Sequence, residues 1–531
     1  MKHFLFALLP FFIATSFLAA HGETINSPYQ SLEGLAIAAD ANRDGRVDFS
    51  DWYLKEREWS WQKTGAFMLA NVDDDDKDGN IDSLDKEING SGDKDDLSLI
   101  NVWLGEDVYP QSHHLELTLS AGAEFVNLFA ADGRFLKQGN VIANPSPRSQ
   151  FYIEAKAFAS AKWNGFAEVT AKLLSKDGTT LAQEKIVLRV APWIMLPNSA
   201  KTKELHVATG RYQNSSFIAG LRKACKLTKT KLLPPYRTNA WKEMWMQDTM
   251  EIGYSQLPGR APMPVVLRAN RQSDSYARTL LDSDFGYIEV GKYRQLSGGD
   301  KWADWFGNLE VSHPVPNWPL GRIYYGRNTL TNEQLNPEIV AFLKAQKLQD
   351  PFWVDTSWLV IKHVDEIFNF IPVNDGKTKL CVACPKAASS LKPGEYGPYN
   401  KTIQNKLDKM LLGGIYIIKG QKVDYPGVLN FLGLDKKCVI GLPVLYSKGH
   451  PDWSSPVNSV YLNGTIVAGN AYTTPEIRRA IEECFSPLEM NVFWVDDKVY
   501  QDFSGNVHCA TNTTKFPLVK TFNTSIPHSI R

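Results

Sequence analysis

A chain of 531 residues with 58 basic and 58 acidic side chains has a formal net charge of zero, which argues against nucleic acid as a main partner, because phosphate binding draws on an excess of positive charge. Hydrophobic residues make up 43% and charged residues 22%, values ordinary for globular protein of about two to four domains and unlike those of disordered or fibrous chains. Six cysteines are too few for a disulfide scaffold at this length, although an exported protein can still pair some of them.

In chain order, residues 1–22 read as a secretory signal peptide: one lysine near the start, an apolar run from Phe4 to Ala20, and small residues at the cut. No later stretch approaches the ~20 apolar residues that a bilayer requires, so the expectation is an exported protein with no membrane anchor. Residues 30–100 are rich in carboxylates. "DANRDGRVDFSD" offers Asp40, Asn42, Asp44, Asp48 and Asp51 around Gly45, and "DDDKDGNIDSLD" repeats the pattern with Asp74, Asp76, Asp78, Asp82 and Asp85 around Gly79. Oxygen ligands at alternate positions before a turn glycine suit calcium; a solvated acidic loop is the plainer alternative. The aspartate in place of the usual closing glutamate means that the loops need not be EF-hands.

From about 113 to 191, short runs such as "HLELTLSAG" and "AEVTAKLLSKDG" alternate apolar and polar residues between Gly and Asp turns, the pattern of an antiparallel, immunoglobulin-like sandwich. After "APWIMLPN" the texture changes to strand-like runs mixed with helical ones such as "TPEIRRAIEECF". That places a boundary near 195, with a sandwich domain over 30–191 and a larger α+β domain over 195–531.

Four segments of the second domain concentrate reactive side chains: "WMQDTMEIGY" (245–254), "FGNLEVSHPV" (306–315), "HVDEIFNF" (363–370) and "NVHCATN" (506–512). Cys509 in the last is open to two readings, a buried small hydrophobe or disulfide half, and a nucleophile. Cys381 and Cys384 form a single C-x-x-C, weak as a zinc signal without a second pair.

These segments, together with "APWIMLPN", "DFGY", "WPLGRI" and "FLKAQ", resemble the motifs of the protein-arginine deiminase family in order and spacing. The resemblance covers 195–520 and extends weakly into the acidic sandwich; the family's separate N-terminal domain has no counterpart. It implies an α/β-propeller (pentein) catalytic domain and conversion of arginine residues in protein substrates to citrulline. The chemistry agrees with the residue types: a guanidinium is planar and permanently charged, carboxylates pair with it through parallel charge-assisted bonds, a thiolate attacks its carbon, and a histidine moves the protons. The resemblance makes Cys509 the nucleophile, His363 the general acid/base, and Asp248 and Asp365 the guanidinium-binding carboxylates, with His508 structural. Trp245 would line the substrate stem, and Arg271 would bind the substrate's peptide carbonyls.

It also implies calcium as cofactor, held near the active site by Gln247, Glu251, Glu310 and the carbonyls of Phe306 and Leu309. A remote cluster would use Asn71, Asp73, Asp75, Asp93, Asp96, Glu154 and Asp284, and a further site Asp40, Asn42, Asp44 and Asp48. The pattern starting at Asp74 and the one starting at Asn71 compete for the same stretch. There are departures: Lys362 and Ala510 stand where relatives carry glycine, and Thr249, Arg268 and Ala269 replace ligands of a second calcium, so that Arg268 is expected to substitute for that ion. Sequons at Asn89, Asn214, Asn400, Asn463, Asn512 and Asn523 would mostly carry glycans on exposed loops, Asn512 excepted. Two other functions stay open, an enzyme of free arginine or agmatine and a catalytically degenerate calcium-binding protein.

Overall fold

The computed structural model describes residues 32–517 apart from 55–58, 62, 138–140, 211–212, 240, 273–275, 374–377 and the side chains of 241 and 242. The proposed signal peptide and Asn523 lie outside the described residues. Among the described residues, no helix is long and apolar enough to cross a membrane.

The N-terminal region is built from two sheets. One runs Leu35–Ala38, Ser98–Leu104, Arg148–Ala155, Val126–Ala130; the other runs Ala66–Met68, Thr180–Val190, Phe166–Leu174, His114–Ala121, Val141–Ala143. The period of two in the sequence is met in burial: Leu115, Leu117 and Leu119, and Ala167, Val169, Ala171 and Leu173, are buried while their neighbours are not fully so. The acidic stretch contributes Leu35–Ala38, Ala66–Met68 and Ser98–Leu104 to these sheets; their apolar runs are short and framed by aspartates. One expectation needs correcting: the pairing is not wholly antiparallel, because Ala66–Met68 lies parallel to Thr180–Val190.

Beyond residue 195 a single pairing pattern occurs five times: a strand, an antiparallel neighbour, then a third strand parallel to the second. The units are Met250–Ser255/Met263–Arg268/Gly286–Glu289; Leu309–Val311/Ile323–Arg327/Phe352–Asp355; Phe368–Pro372/Thr378–Cys384/Val439–Pro443; and Val460–Leu462/Thr465–Gly469/Asn491–Val495. The fifth joins distant sequence, with Thr511–Lys515 antiparallel to Thr202–Gly210, which lies parallel to Lys231–Leu232 and Tyr236–Thr238. Helices make most of the parallel crossovers, as that connection requires. Pro475–Phe485 has proline in its first turn, a Thr474 cap on the Ile477 amide, and Ile477, Ile481 and Phe485 on one buried stripe.

The junction between the two regions is a buried seam. Ala191 to Leu196 are buried in the core that the sandwich shares with the first two catalytic units. Two glutamines after helix Pro337–Ala345 satisfy its backbone. Gln346 accepts from Trp193 N at 3.1 Å, and Gln349 accepts from Met195 N at 2.8 Å while donating to the carbonyls of Met195 (3.0 Å) and Leu320 (2.6 Å). Replacing Gln349 by alanine strands those groups without water, and each unmet buried partner costs about 1–3 kcal/mol. Gln349→Ala is therefore expected to lower unfolding free energy by at least about 2 kcal/mol at constant denaturant slope, as read by urea titration.

Candidate active site

Each catalytic unit enters its first strand through a tight turn, and the residue two before that strand lies at the centre of the molecule's chemistry. Ahead of Met250, Leu309, Phe368, Val460 and Thr511 these residues are Asp248, Gly307, Glu366, Asn458 and Cys509. Hydrogen bonds tie the turns together: Gln247 N donates to the Cys509 carbonyl (3.2 Å) and His508 N to that of Asn458 (3.1 Å). Gly307 N donates to Asp248 Oδ1 (3.1 Å).

The four residues that the sequence singles out as catalytic are brought together. Asp248, His363 and Cys509 line one cavity of about 360 Å³, with Trp245, Trp302 and Trp305 among its walls, a volume within the range of small-molecule sites. The Cys509 thiol donates to Asp365 Oδ2 at 3.2 Å. His363 Nδ1 lies 3.4 Å from Asp248 Oδ1, and its Nε2 faces the Trp302 carbonyl at 2.9 Å. A carbonyl only accepts, so Nε2 carries the proton and Nδ1 is the nitrogen free to exchange one.

Electrostatics in this enclosure oppose negative charge. Burial raises the Asp248 carboxyl, against the pull of His363 and Arg271. Burial, then Asp365, Asp248 and Glu366, hold the Cys509 thiol well above its ordinary range, and burial with Asp365 does the same to Glu366. Each group is short of a cation.

His508, expected to be structural, sits between two carboxylates. Its Nδ1 is 3.0 Å from Asp365 Oδ2 and its Nε2 3.3 Å from Glu310 Oε1. Burial would lower its pKa, yet Glu310 and Asp365 together raise it. The ring therefore bridges an expected guanidinium-binding carboxylate, Asp365, to an expected calcium ligand, Glu310. Arg271 is buried beside the cavity. It is 2% exposed, its guanidinium lies 4.2 Å from the Trp305 ring centre, and it donates to the Trp245 carbonyl at 3.4 Å, so it braces two of the aromatic walls. Arg268 joins the same turn: it donates to the Arg271 carbonyl (3.3 Å) and pairs with Glu289 (3.4 Å), while Thr249 Oγ1 is committed to the Met246 carbonyl. Lys362 takes the left-handed backbone (φ 67°) that glycine adopts most readily, whereas buried Ala510 has no positive φ.

The expected calcium ligands divide. Gln247, Glu251 and Glu310 line a second, small cavity, shared with His508 and Lys515. Burial raises Glu251, and Glu310 is raised to about 7; Lys515 is lowered by burial against the pull of both carboxylates. Phe306 and Leu309 do not line this cavity, and the Phe306 carbonyl accepts from Leu309 N. In the sandwich, Asp73, Asp75 and Asp96 form one oxygen cluster and Asp74, Asp76 and Asp78 another, each within 4.8 Å. The two patterns read from one stretch thus use alternate residues. The first cluster is enlarged by Asn71, which donates to Asp93 and Glu154 (both 2.8 Å), and by Asp284, whose amide donates to Asp73 Oδ2 (3.0 Å). Asp82, which the sequence pattern groups with the other loop, is raised to about 8 by burial and by Asp73, Asp93 and Asp75, so it sits with this cluster. In the first loop, Asp40 accepts from the amides of Asp44 and Gly45, Asn42 bonds to Asp44, and Asp48 turns away to Ser50.

The expectation of glycans on exposed loops fails for three sequons: Asn214 and Asn400 are buried, and Asn463 bonds to the Thr202 carbonyl. Asn512, expected to be spared, donates to the Met250 carbonyl at 2.9 Å. The six cysteines are all unpaired.

The family model for protein-arginine deiminase matches residues 180–412, and that for the protein-arginine deiminase middle domain matches 34–175. Human protein-arginine deiminase type-4 is 28% identical over 548 residues, covering 91% of this chain and 81% of the relative. Human type-3 is 28% identical over 563 residues, covering 92% and 82%. Among solved structures, an agmatine deiminase of C. jejuni aligns at a TM-score of 0.38 and 14% identity, covering 61% of this chain and 96% of that one. The chain belongs to the protein-arginine deiminase family, hydrolases acting on the guanidino C–N bond.

Gly307 is the site residue least visible in the sequence. A Cβ there would lie 2.6 Å from His363 Nδ1, 2.8 Å from Asp248 Oδ1 and 3.2 Å from Asp365 Oδ2, so only a hydrogen fits among the three. Gly307→Ala is expected to cut kcat by at least about 100-fold, since displacements of about 1 Å carry that penalty, with the melting temperature little changed. Ammonia release measured beside a thermal melt checks both.

Proposed function

We propose that this protein hydrolyses peptidyl-arginine to peptidyl-citrulline and ammonia through a covalent intermediate on Cys509, that calcium supports it, and that it works outside the cell. The observation that carries the reading is the convergence of Cys509, His363, Asp248 and Asp365 around one tryptophan-walled cavity. An arginine stem fits among indole faces, which favour a cation beneath them. Its guanidinium supplies the positive charge that the buried carboxylates lack, so substrate entry also relieves the opposition to a thiolate. The proton leaving the Cys509 thiol charges His363 at Nδ1; Sγ forms a bond to the guanidino carbon as a C–N π pair moves onto nitrogen, and Nδ1 then hands that proton to the amino group whose C–N bond breaks to release ammonia. Water then attacks the amidino-thioether, His363 takes its proton, and the S–C bond breaks to release citrulline.

The residues of the sandwich cluster fit a hard cation. Asn71 Oδ1, Asp73 Oδ1 and Asp75 Oδ2 are buried oxygens without a hydrogen-bond donor, and oxygen-rich sets of this kind suit calcium. Beside the active site, Gln247, Glu251 and Glu310 would hold an ion next to the Lys515 ammonium, which competes for the same two carboxylates. Bound calcium would neutralise acidic groups that otherwise resist ionisation. Arg268, clamped between Glu289 and the Arg271 carbonyl, stands in for a second ion there. The architecture that suits all this is an immunoglobulin-like sandwich followed by an α/β propeller of five blades, the last closed by Thr511–Lys515. Export rests on the apolar run from Phe4 to Ala20.

Three outcomes are expected. Cys509→Ser leaves a folded protein without turnover, because an alcohol ionises far less readily than a thiol; citrulline formation near the wild-type rate would remove Cys509 from the chemistry. A blocked arginine ester is turned over in preference to free arginine, and the reverse preference would favour an enzyme of the free amino acid. The third concerns pH. Asp73, Asp82, Asp96 and Glu154 are all raised to about 8, chiefly by burial. Acids whose folded pKa exceeds the unfolded one stabilise the fold below about pH 4 and lose that contribution as pH climbs to about 8. The calcium-free melting temperature should therefore fall from pH 5 to 8 and recover with millimolar calcium; a profile indifferent to calcium would count against the cluster as its site.

A further inference from the structure

Four of the five central turns contribute a group already described; the fourth unit in chain order, "SSPVNSV" (454–460), contributes Asn458. This residue occupies the same place in its unit, two before the first strand, as Asp248, Gly307, Glu366 and Cys509 do in theirs. It is 1% exposed, and each polar atom of its amide is engaged. Oδ1 accepts from Cys509 N at 3.1 Å. Nδ2 donates to the Asp365 carbonyl at 3.3 Å and to Cys509 Sγ at 3.1 Å.

The orientation of that amide is forced. A backbone N–H only donates, so the atom facing Cys509 N must be the oxygen; a backbone carbonyl only accepts, so the atom facing Asp365 must be the nitrogen. The amide cannot flip without breaking both contacts, and the sulfur consequently meets an N–H. On its other side Sγ meets the Asp365 carboxylate. The nucleophile is thus held between a group that takes its proton and a group that donates to the sulfur. Asn458 also fixes the loop carrying that nucleophile, because its own carbonyl accepts from His508 N.

We propose that Asn458 is a positioning residue of the reaction: it orients Cys509 Sγ toward the substrate carbon and supplies the hydrogen bond that stabilises the sulfur as it gains charge. The inference rests on Cys509 as the nucleophile. A hydrogen bond to a charged partner is worth about 10- to 100-fold in rate when it is made only as charge develops.

The test compares Asn458→Ala, Asn458→Asp and Cys509→Ala in the full chain with a peptidyl-arginine substrate, reading kcat, KM and melting temperature, and the rate of Cys509 alkylation by neutral iodoacetamide without substrate. Asn458→Asp is nearly isosteric and retains an oxygen for Cys509 N but offers the sulfur no donor, so it remains informative where the alanine variant fails to fold. Both variants are expected to lose about 10- to 100-fold in kcat, with KM within about twofold and slowed alkylation. A folded variant with wild-type kcat, or one whose loss lies in KM with alkylation unchanged, overturns the proposal. Turnover surviving in Cys509→Ala would instead remove the nucleophile assignment beneath it.

Discussion

Three carboxylates, a histidine and a thiol share one buried enclosure, and most of the catalytic half is arranged so that they can. Asp248, Asp365 and Glu366 are each at most 5% exposed, and like charges at such separations do not ionise together without compensation. Some of the compensation is built in: the Gly307 amide and His363 serve Asp248, and His508 serves Asp365. The remainder is left for the substrate's guanidinium. The raised thiol of Cys509 has the same origin, burial first and then the neighbouring Asp365, Asp248 and Glu366.

The strand repeat explains how such a set can be assembled. A tight turn before each first strand delivers a side chain to the same region, so neighbouring turns can lock one another through backbone bonds such as Gln247 N to the Cys509 carbonyl. The sandwich is coupled into this arrangement through the seam at 191–196 and through its acidic loop. Asp284 N reaches Asp73, and Tyr287 N reaches the Val72 carbonyl, so the strand Gly286–Glu289 of the first unit touches the acidic cluster directly. That strand also carries Glu289, the ion-pair partner of Arg268.

The candidate catalytic residues came from the family resemblance: "HVDE" and "NVHCATN" place scarce, reactive types within a few positions, but each residue taken alone has a plainer structural explanation. The change in periodicity near 195 falls at the buried seam, but the burial of that seam was not legible, since Gln346 and Gln349 lie some 150 residues from the backbone they satisfy. Asn458 and Gly307 carry no reactive group, and their importance depends on five turns meeting in space. Only the resemblance singled out Arg271, and nothing in its local sequence announces that Trp245 and Trp305 cover it. The N-x-[ST] pattern that marked Asn214 and Asn400 carries no information on burial, and one bonds to the Ala208 carbonyl and the other to the Tyr446 backbone.

The pairing of Thr202–Gly210 with Thr511–Lys515 has a kinetic corollary. His206 Nε2 meets Thr514 Oγ1, 308 residues further along. A strand from early in the domain therefore spends synthesis with an unpaired edge, and contacts of that sequence separation form slowly because loop closure precedes any reward. Open edges of this kind recruit other strands. Cys509 lies two residues ahead of this closing strand, so the long-range pairing brings an interval of vulnerability, and the thiol is fixed in place only once the two distant segments have met.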